Sequence, residues 1–262
     1  MTKTSSNQFE ITTETLQIRA SNVHWDTSAF GFNVAQINLI EIFGHTKEII
    51  GWQHFQDWLD SNSIHLVSCR LPHNHLKESL FLESQEFRFI EMVLHPHVNN
   101  LQQLSIPNDG LIIVPANETD IPNLVFIAEH AFNYERYHVD PRLEKKPADL
   151  RYGKWVENSF HHATQRLFKI LNDKHLLGFF IVEYDEKKSI YWHLTAISPQ
   201  WQGMGYGLRV WRAMLKHHQK EGYDSITTTI SARNSAVLNL YAKLNFRFLP
   251  PDMTFHWIRD NP

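Results

Sequence analysis

The chain has 262 residues, 42% hydrophobic, 20% charged and 13% aromatic, with a formal net charge of −3 at pH 7. That apolar share supports packed cores and excludes wholesale disorder, and the length suggests one large domain or two small ones. No long basic run points to a general nucleic-acid binder, and no apolar stretch is long enough for a membrane-spanning helix. The polar segment Met1–Glu10 lacks the apolar core of a secretory signal. A lone Cys69 cannot build a disulfide framework or a cysteine-rich zinc site. The expectation is a cytoplasmic globular protein with no nucleic-acid or membrane partner.

In the N-terminal half, alternation and helical spacing predict strands at Leu16–Ala20 and Ala35–Ile42, then a helix at Glu48–Asp60. A strand at Ile64–Arg70, a helix at Asn74–Ser84 and a strand at Arg88–Leu94 follow. The polar, turn-rich stretch 101–109 reads as a linker, which gives an expected organisation of 1–100, linker 101–109 and 110–262. Beyond Gly110 come a strand at Leu111–Val114 and a helix at Ile121–Phe132 with Asp120 as its N-cap. An irregular loop carries Arg136, Tyr137, His138, Asp140 and Arg142, and a helix at Ala148–Phe160 follows it. Strands at Arg166–Leu171, Leu176–Tyr184 and Ile190–Ile197 form an antiparallel meander, its turns at Asn172–Lys174 and Asp185–Lys188. A helix at Leu208–Lys220, a strand at Ser225–Ile230, a helix at Ala236–Leu244 and strands at Phe246–Leu249 and Thr254–Ile258 complete the chain. Glu86-Phe87-Arg88-Phe89-Ile90 and Asn245-Phe246-Arg247-Phe248-Leu249 each follow a helix, which makes a degenerate internal duplication plausible.

Seventeen histidines raise the question of a metal. The pairs His73/His75 and His95/His97 and the doublets His161-His162 and His217-His218 fall on different elements. None has HExxH or finger spacing, so no metal site is expected. The sharpest signal is Gln202-Gly203-Met204-Gly205-Tyr206-Gly207-Leu208, between a strand and a helix. Glycines let successive backbone N–H groups converge, and the helix N-terminus adds a positive dipole: a receptor for pyrophosphate. The spacing is wrong for a dinucleotide fingerprint, and no Lys-Ser/Thr follows to make a P-loop.

Gln202-x-x-Gly205-x-Gly207 resembles the Q/R-x-x-G-x-G/A motif of the GNAT superfamily of acyl-CoA-dependent N-acetyltransferases. Ile197-Ser198-Pro199 is similar to the end of their bulged central strand. Asn234-Ser235-Ala236-Val237-Leu238-Asn239-Leu240-Tyr241-Ala242-Lys243-Leu244-Asn245-Phe246 resembles their second signature, N-x-x-A-x-x-L-Y-x-K-x-G-F. Asn245 replaces the usual Gly, a tolerable change where a helix ends left-handed; Ala236 stands one residue early. The resemblance runs from Gly110 to the C-terminus. It implies an α/β (α+β) GNAT fold: a mixed central sheet flanked by helices, preceded here by a smaller degenerate GNAT-like domain.

The resemblance also implies acetyl-CoA as co-substrate. The loop from Gln202 through Gly203, Met204, Gly205, Tyr206, Gly207 and Leu208 would hold its pyrophosphate. The strand ending at Ile197 would pair with pantetheine, and Asn234 would hydrogen-bond it. Tyr241 would protonate the departing sulfur, and His193 is the candidate base. A backbone N–H near Ile197, freed by a strand bulge, would be the oxyanion donor.

Trp25-Asp26 with Phe30-Gly31-Phe32, and the run Arg136-Tyr137-His138-x-Asp140-Pro141 with Tyr152 and Trp155, resemble bacterial dTDP-fucosamine acetyltransferases. Trp25 and Phe30 read as core. That subfamily implies a nucleotide-linked 4-amino-4,6-dideoxyhexose as acceptor, with Arg136 or Arg142 at its phosphates and Tyr137 or His138 at its sugar or base. The alternatives are another small-molecule or peptide amine, or a non-catalytic acyl-CoA-binding module. A homodimer is a further expectation.

Overall fold

The computed structural model describes residues 2–4, 7–44, 49–185 and 188–259. The chain divides into two compact units, Met1–Met92 with Pro251–Pro262, and Val93–Pro250. This differs from the expected break at 101–109. Leu101–Gln103 form a 3-10 turn inside the second unit, and Leu101 is buried. Polar side chains satisfy its backbone: Gln219 donates to the Leu101 and Leu104 carbonyls at 2.7 and 2.9 Å. The polarity that reads as a linker is a docked segment.

The first unit contains β1 (Thr2–Thr4), β2 (Gln8–Thr12), β3 (Leu16–Asn22), α1 (His24–Phe30), β4 (Asn33–Ile42), α2 (Trp52–Ser61), β5 (Ile64–Pro72), α3 (Leu76–Ser84) and the start of β6 (Arg88–Val98). β1 to β4 pair antiparallel in sequence, and β5 lies parallel to β4. Trp52, Phe55 and Trp58, three residues apart on α2, present one buried face; Phe55 meets Phe9 with ring centroids 5.5 Å apart. Phe30 is buried as expected and Trp25 half-buried. Glu48, the expected first residue of α2, lies outside the described residues, as do Glu186 and Lys187 of an expected turn.

The second unit takes the end of β6, then β7 (Ile112–Pro115), α4 (Ile121–Ala131), α5 (Arg136–Val139), α6 (Lys145–Phe160), β8 (Gln165–Asn172), β9 (His175–Asp185), β10 (Ser189–Ile197), α7 (Tyr206–Lys220), β11 (Ser225–Thr228), β12 (Ile230–Ser231), α8 (Ser235–Lys243) and β13 (Arg247–Ile258), whose last residues return to the first unit. There Asp252–Ile258 pair antiparallel with β5. β13 runs through Pro250-Pro251, which reads as a break. Proline adopts extended backbone and lacks only the N–H donor.

β8 to β10 form the expected antiparallel meander, β7 pairs antiparallel with β8, and β11 lies parallel to β10. α4 and α6 cover one face through Leu124, Ile127, Tyr152 and Val156. α7 and α8 cover the other through Val210, Trp211, Met214 and Tyr241. α6 starts at Lys145, because Pro147 sits in the first turn, where no N–H bond is needed. Asp120 stands at the N-cap position of α4 as expected but makes no side-chain cap bond to it: its carboxylate accepts from Asn117 N–H in a capping box one turn earlier and binds Lys169 at 2.7 Å. Among the described residues, no helix is long and apolar enough to cross a membrane.

The suspected duplication has a geometric counterpart. Glu86 and Asn245 both adopt positive φ, 67° and 62°, just past α3 and α8. Phe87 N–H reaches back to Leu82 O and Phe246 N–H to Tyr241 O, both at 3.0 Å. Both helices thus end in the same Schellman turn. Glu86 is exposed and its conformation suits glycine better. Glu86→Gly is expected to stabilise the protein by about 0.5–1 kcal/mol, a rise of a few degrees in thermal midpoint measurable by calorimetry, while Asn245→Gly stays near neutral.

Candidate active site

β10 is irregular between Trp192 and Leu194, which leaves His193 as the bulge residue. The bulge reverses the faces of the strand. Ile190 and Trp192 pack with α7 and α8, whereas Leu194 and Ala196 pack with α4 and α6. β11 pairs with β10 only up to Trp192, where Thr228 Oγ1 donates to the Trp192 carbonyl at 2.8 Å. From His193 to Ile197 the second edge of β10 has no strand neighbour among the described residues. The bulge expected near Ile197 therefore lies four residues earlier. Ala196 and Ile197 remain paired to Phe179 and Gly178, and the donors available to an oxyanion belong to the open edge as a whole.

A cleft of about 330 Å³ opens beside that edge. Its walls include Thr195, Ala196 and Ile197 of β10, Gln202, Gly203 and Gly207 of the glycine loop, and Asn234 and Leu240 of the α8 region. Gly203 and Gly205 hold φ of 75° and 81°. An added Cβ would meet nothing within 4 Å at either, so backbone conformation alone demands glycine there. Gly207 differs: a Cβ there would lie 3.0 Å from Leu240, so its role is close packing of α7 on α8. Gly205 is the N-cap of α7 and supplies no side chain, so no side-chain oxygen caps the first-turn amides at Tyr206, Gly207 and Leu208.

Other loop residues serve the protein itself. Gln202 Nε2 donates to the Ile197 carbonyl at 2.9 Å and ties the loop to the end of β10. Tyr206 packs edge-on against Trp201, and Met204 is exposed. Asn234 Oδ1 accepts from Val237 N–H as the N-cap of α8, so what it can offer a ligand is its amide donors.

Tyr241 is buried and stands one side chain behind the cleft wall, edge-on to the lining residue Trp211 at 6.3 Å. Burial pushes its phenol up to about 12, with Trp211 and Thr228 opposing the rise. The neighbouring Thr228 is the last residue of β11 that pairs with β10, which sets the phenol at the fork of the two strands. His193 is not among the cleft-lining residues. Its Nε2 lies 2.8 Å from Glu183 Oε2, and Trp155 and Tyr191 flank its ring. Thr164 and His193 hold the Glu183 carboxyl below its ordinary range, so it stays ionised at neutral pH.

The loop residues read as acceptor contacts are largely engaged in the fold. Tyr137 is buried, and the Arg136 and Arg151 guanidinium groups lie 4.7 and 5.1 Å from its ring centre. The His138 side chain is fully buried with its Nε2 3.0 Å from Asp149, and burial lowers its pKa. Arg142 makes two bonds, 2.9 and 2.8 Å, to the buried Asp140. None of these four lines the cleft. The cleft wall nearest to them in sequence is Phe132, Asn133, Tyr134 and Glu135, just upstream, which sequence reasoning passed over because the denser cluster of Arg, Tyr and His drew the assignment.

Residues 129–246 match the acetyltransferase (GNAT) family model. The match takes in 118 of the 262 residues, all within the second unit, and marks that segment as similar to a GNAT domain. No curated protein matches the chain significantly by sequence. Solved structures share its fold. A GCN5-related N-acetyltransferase from Sphaerobacter thermophilus is 9% identical with a TM-score of 0.63, over 95% of this chain and 82% of that one. A tandem GNAT protein from the clavulanic acid biosynthesis pathway is 12% identical with a TM-score of 0.62, over 97% and 83%. A glucosamine N-acetyltransferase region of a fungal multi-domain GH3 β-N-acetylglucosaminidase is 10% identical with a TM-score of 0.65, over 93% of this chain and 31% of that one. The family match and the shared fold together indicate an acyltransferase, and the acyl donor of the GNAT family is acetyl-CoA.

The second unit's glycine loop has a closed counterpart in the first unit. Gly51 caps α2 with φ 101°, as Gly205 caps α7. A Cβ on Gly51 would lie 3.0 Å from Thr13 and 3.1 Å from Ile11, and Thr13 Oγ1 donates to Ile50 O at 2.9 Å. Ile11 of β2 and Thr13 just beyond it fill that position. Leu82 stands where the matching helix of the second unit carries Tyr241.

Two outcomes are expected. Gly205→Ala strains a left-handed residue by about 1–2 kcal/mol and weakens acetyl-CoA binding several-fold by calorimetric titration. Arg142→Leu removes two charge-assisted bonds from the buried Asp140, lowers stability by about 1.5–3 kcal/mol in urea unfolding, and leaves the acceptor KM unchanged.

Proposed function

We propose that the enzyme transfers the acetyl group of acetyl-CoA to the primary amine of a nucleotide-linked amino sugar, a 4-amino-4,6-dideoxyhexose. The observation that carries the transfer is the meeting, on one cleft, of an unpaired strand edge and an uncapped helix N-terminus behind a glycine loop. The edge would pair with the amides of the pantetheine arm as an added strand does, and the loop amides would hold the pyrophosphate. The neutral amine attacks the thioester carbonyl carbon. The C–N bond forms, the C–S bond breaks, the amine loses a proton to a base, and the sulfur gains one.

In this reading Tyr241 supplies the sulfur's proton from the strand fork, and His193 accepts the amine's proton, with ionised Glu183 stabilising the imidazolium. The sugar is supported by Tyr134 and Asn133, an exposed aromatic face and an amide on the cleft wall. The neighbour with a glucosamine N-acetyltransferase region shares the fold alone. The nucleotide rests on the sequence resemblance, with Arg136 the remaining candidate for its phosphates. Another small amine is the second reading, favoured by one observation: Glu135 is the one charged side chain among the cleft's described lining residues, and it suits a cationic acceptor.

Thiol release from acetyl-CoA across a panel of amines, including dTDP-linked 4-amino-4,6-dideoxyhexoses, tests the acceptor. Turnover on simple amines alone would discard the nucleotide sugar. Tyr241→Phe is expected to lower kcat about 100-fold with acetyl-CoA affinity retained. The phenol works protonated, so its contribution is lost only as pH rises through about 12. Between pH 7 and 10 the rate should show no decline that Tyr241→Phe removes.

A further inference from the structure

The far end of α7 carries a cluster that acetyl transfer does not use. Consecutive helical residues point about 100° apart, so the doublet His217-His218 cannot by itself converge on one centre. Glu221, at the C-cap of α7, reaches back across both. Its Oε1 lies 3.4 Å from His217 Nε2 and its Oε2 3.3 Å from His218 Nδ1. The three ligand-type atoms lie within 4.8 Å of one another. Around a tetrahedral zinc ion with bonds of about 2.0–2.1 Å, neighbouring ligand atoms stand about 3.4 Å apart. The two separations, each to a different oxygen of the Glu221 carboxylate, are of that size. They are long for charge-assisted hydrogen bonds, and His217 Nε2 is a buried nitrogen with no hydrogen bond.

Packing fixes the rings. His218 is fully buried among Trp192, Tyr184, Tyr223 and Phe168, with centroids 6.0 to 6.5 Å away, and His217 meets Phe168 edge-on at 5.0 Å. The Tyr184 hydroxyl donates to Glu221 Oε2 at 3.5 Å, an outer contact of the kind that orients a carboxylate ligand. The C-terminal end of a helix carries partial negative charge and favours a cation. Lys220, on the same helix, opposes it. Glu221 and His217 are partly exposed, Glu221 the more so.

We propose that His217, His218 and Glu221 bind a zinc-class divalent cation, with water completing a four-coordinate site apart from the acetyl-transfer cleft. Two imidazoles and a carboxylate are a donor set that suits zinc. The ion would pin the C-terminal end of the helix whose N-terminal end carries the glycine loop. The proposal does not depend on the acceptor reading.

The test is titration of chelator-stripped, full-length protein with Zn²⁺ against a chromogenic chelator, and separately with Co²⁺. One equivalent of Zn²⁺ is expected, together with the intense visible d–d bands of four-coordinate Co²⁺. Glu221→Gln and His217→Asn, on the exposed side of the cluster, should each weaken that equivalent about 100-fold and abolish the cobalt bands. His218 is left intact because it is part of the core. With seventeen histidines in the chain, adventitious binding has a clear signature: Zn²⁺ stoichiometry and affinity unchanged in both variants. That result, or a six-coordinate cobalt spectrum in the wild type, overturns the proposal.

Discussion

A strand that loses its neighbour halfway along its length must offer its edge groups to something else, because backbone N–H and C=O groups are not left unpaired in a protein interior. β10 is such a strand. Trp192 still pairs with Thr228, and beyond it the strand continues with one edge open. The bulge at His193 turns the strand over at that point, so Leu194 and Ala196 are buried against α4 and α6. The cleft, the placement of the glycine loop and the position of Tyr241 at the fork follow from this parting. Gln202 holds the loop against the end of the same strand.

The two units show what the constraint requires and what happens without it. Both contain a parallel strand pair, a helix entered through a left-handed glycine, and a following helix closed by a Schellman turn. In the first unit, Ile11 and Thr13 occupy the space beside Gly51, and Leu82 stands in the tyrosine's place. In the second, nothing fills the space beside Gly203 or Gly205. The space beside the left-handed glycine that enters the helix is open in the second unit and filled in the first.

Burial decides which polar residues are chemistry and which are architecture. Residues 136–142 hold two arginines, a tyrosine and a histidine, a composition that reads as a ligand site. In the fold they form a self-satisfied structure: Asp140 neutralises Arg142, Asp149 holds His138, and Tyr137 is covered. A buried charge must be paired, and once paired it has little left to offer a substrate. The residues that face the cleft, Asn133 to Glu135, are less conspicuous.

The sequence by itself determined the order of nearly all elements of the second unit, the left-handed glycines of the loop and the acyltransferase class. These are properties of local backbone preference and of short motifs read along the chain. It missed β1, β2, α1 and α5, because short elements carry little periodicity. It also drew the domain boundary in the wrong place, because polar composition cannot show that Gln219 satisfies the carbonyls of 101–104. Only tertiary structure decided that β10 parts from β11 at Trp192, that the bulge falls at His193, and that the last strand joins the first unit. It also decided that Glu221 brings two diverging histidines to one point. Each of these depends on a partner distant in sequence or on the turn of a helix, and such a pairing has no signature in the residues taken singly.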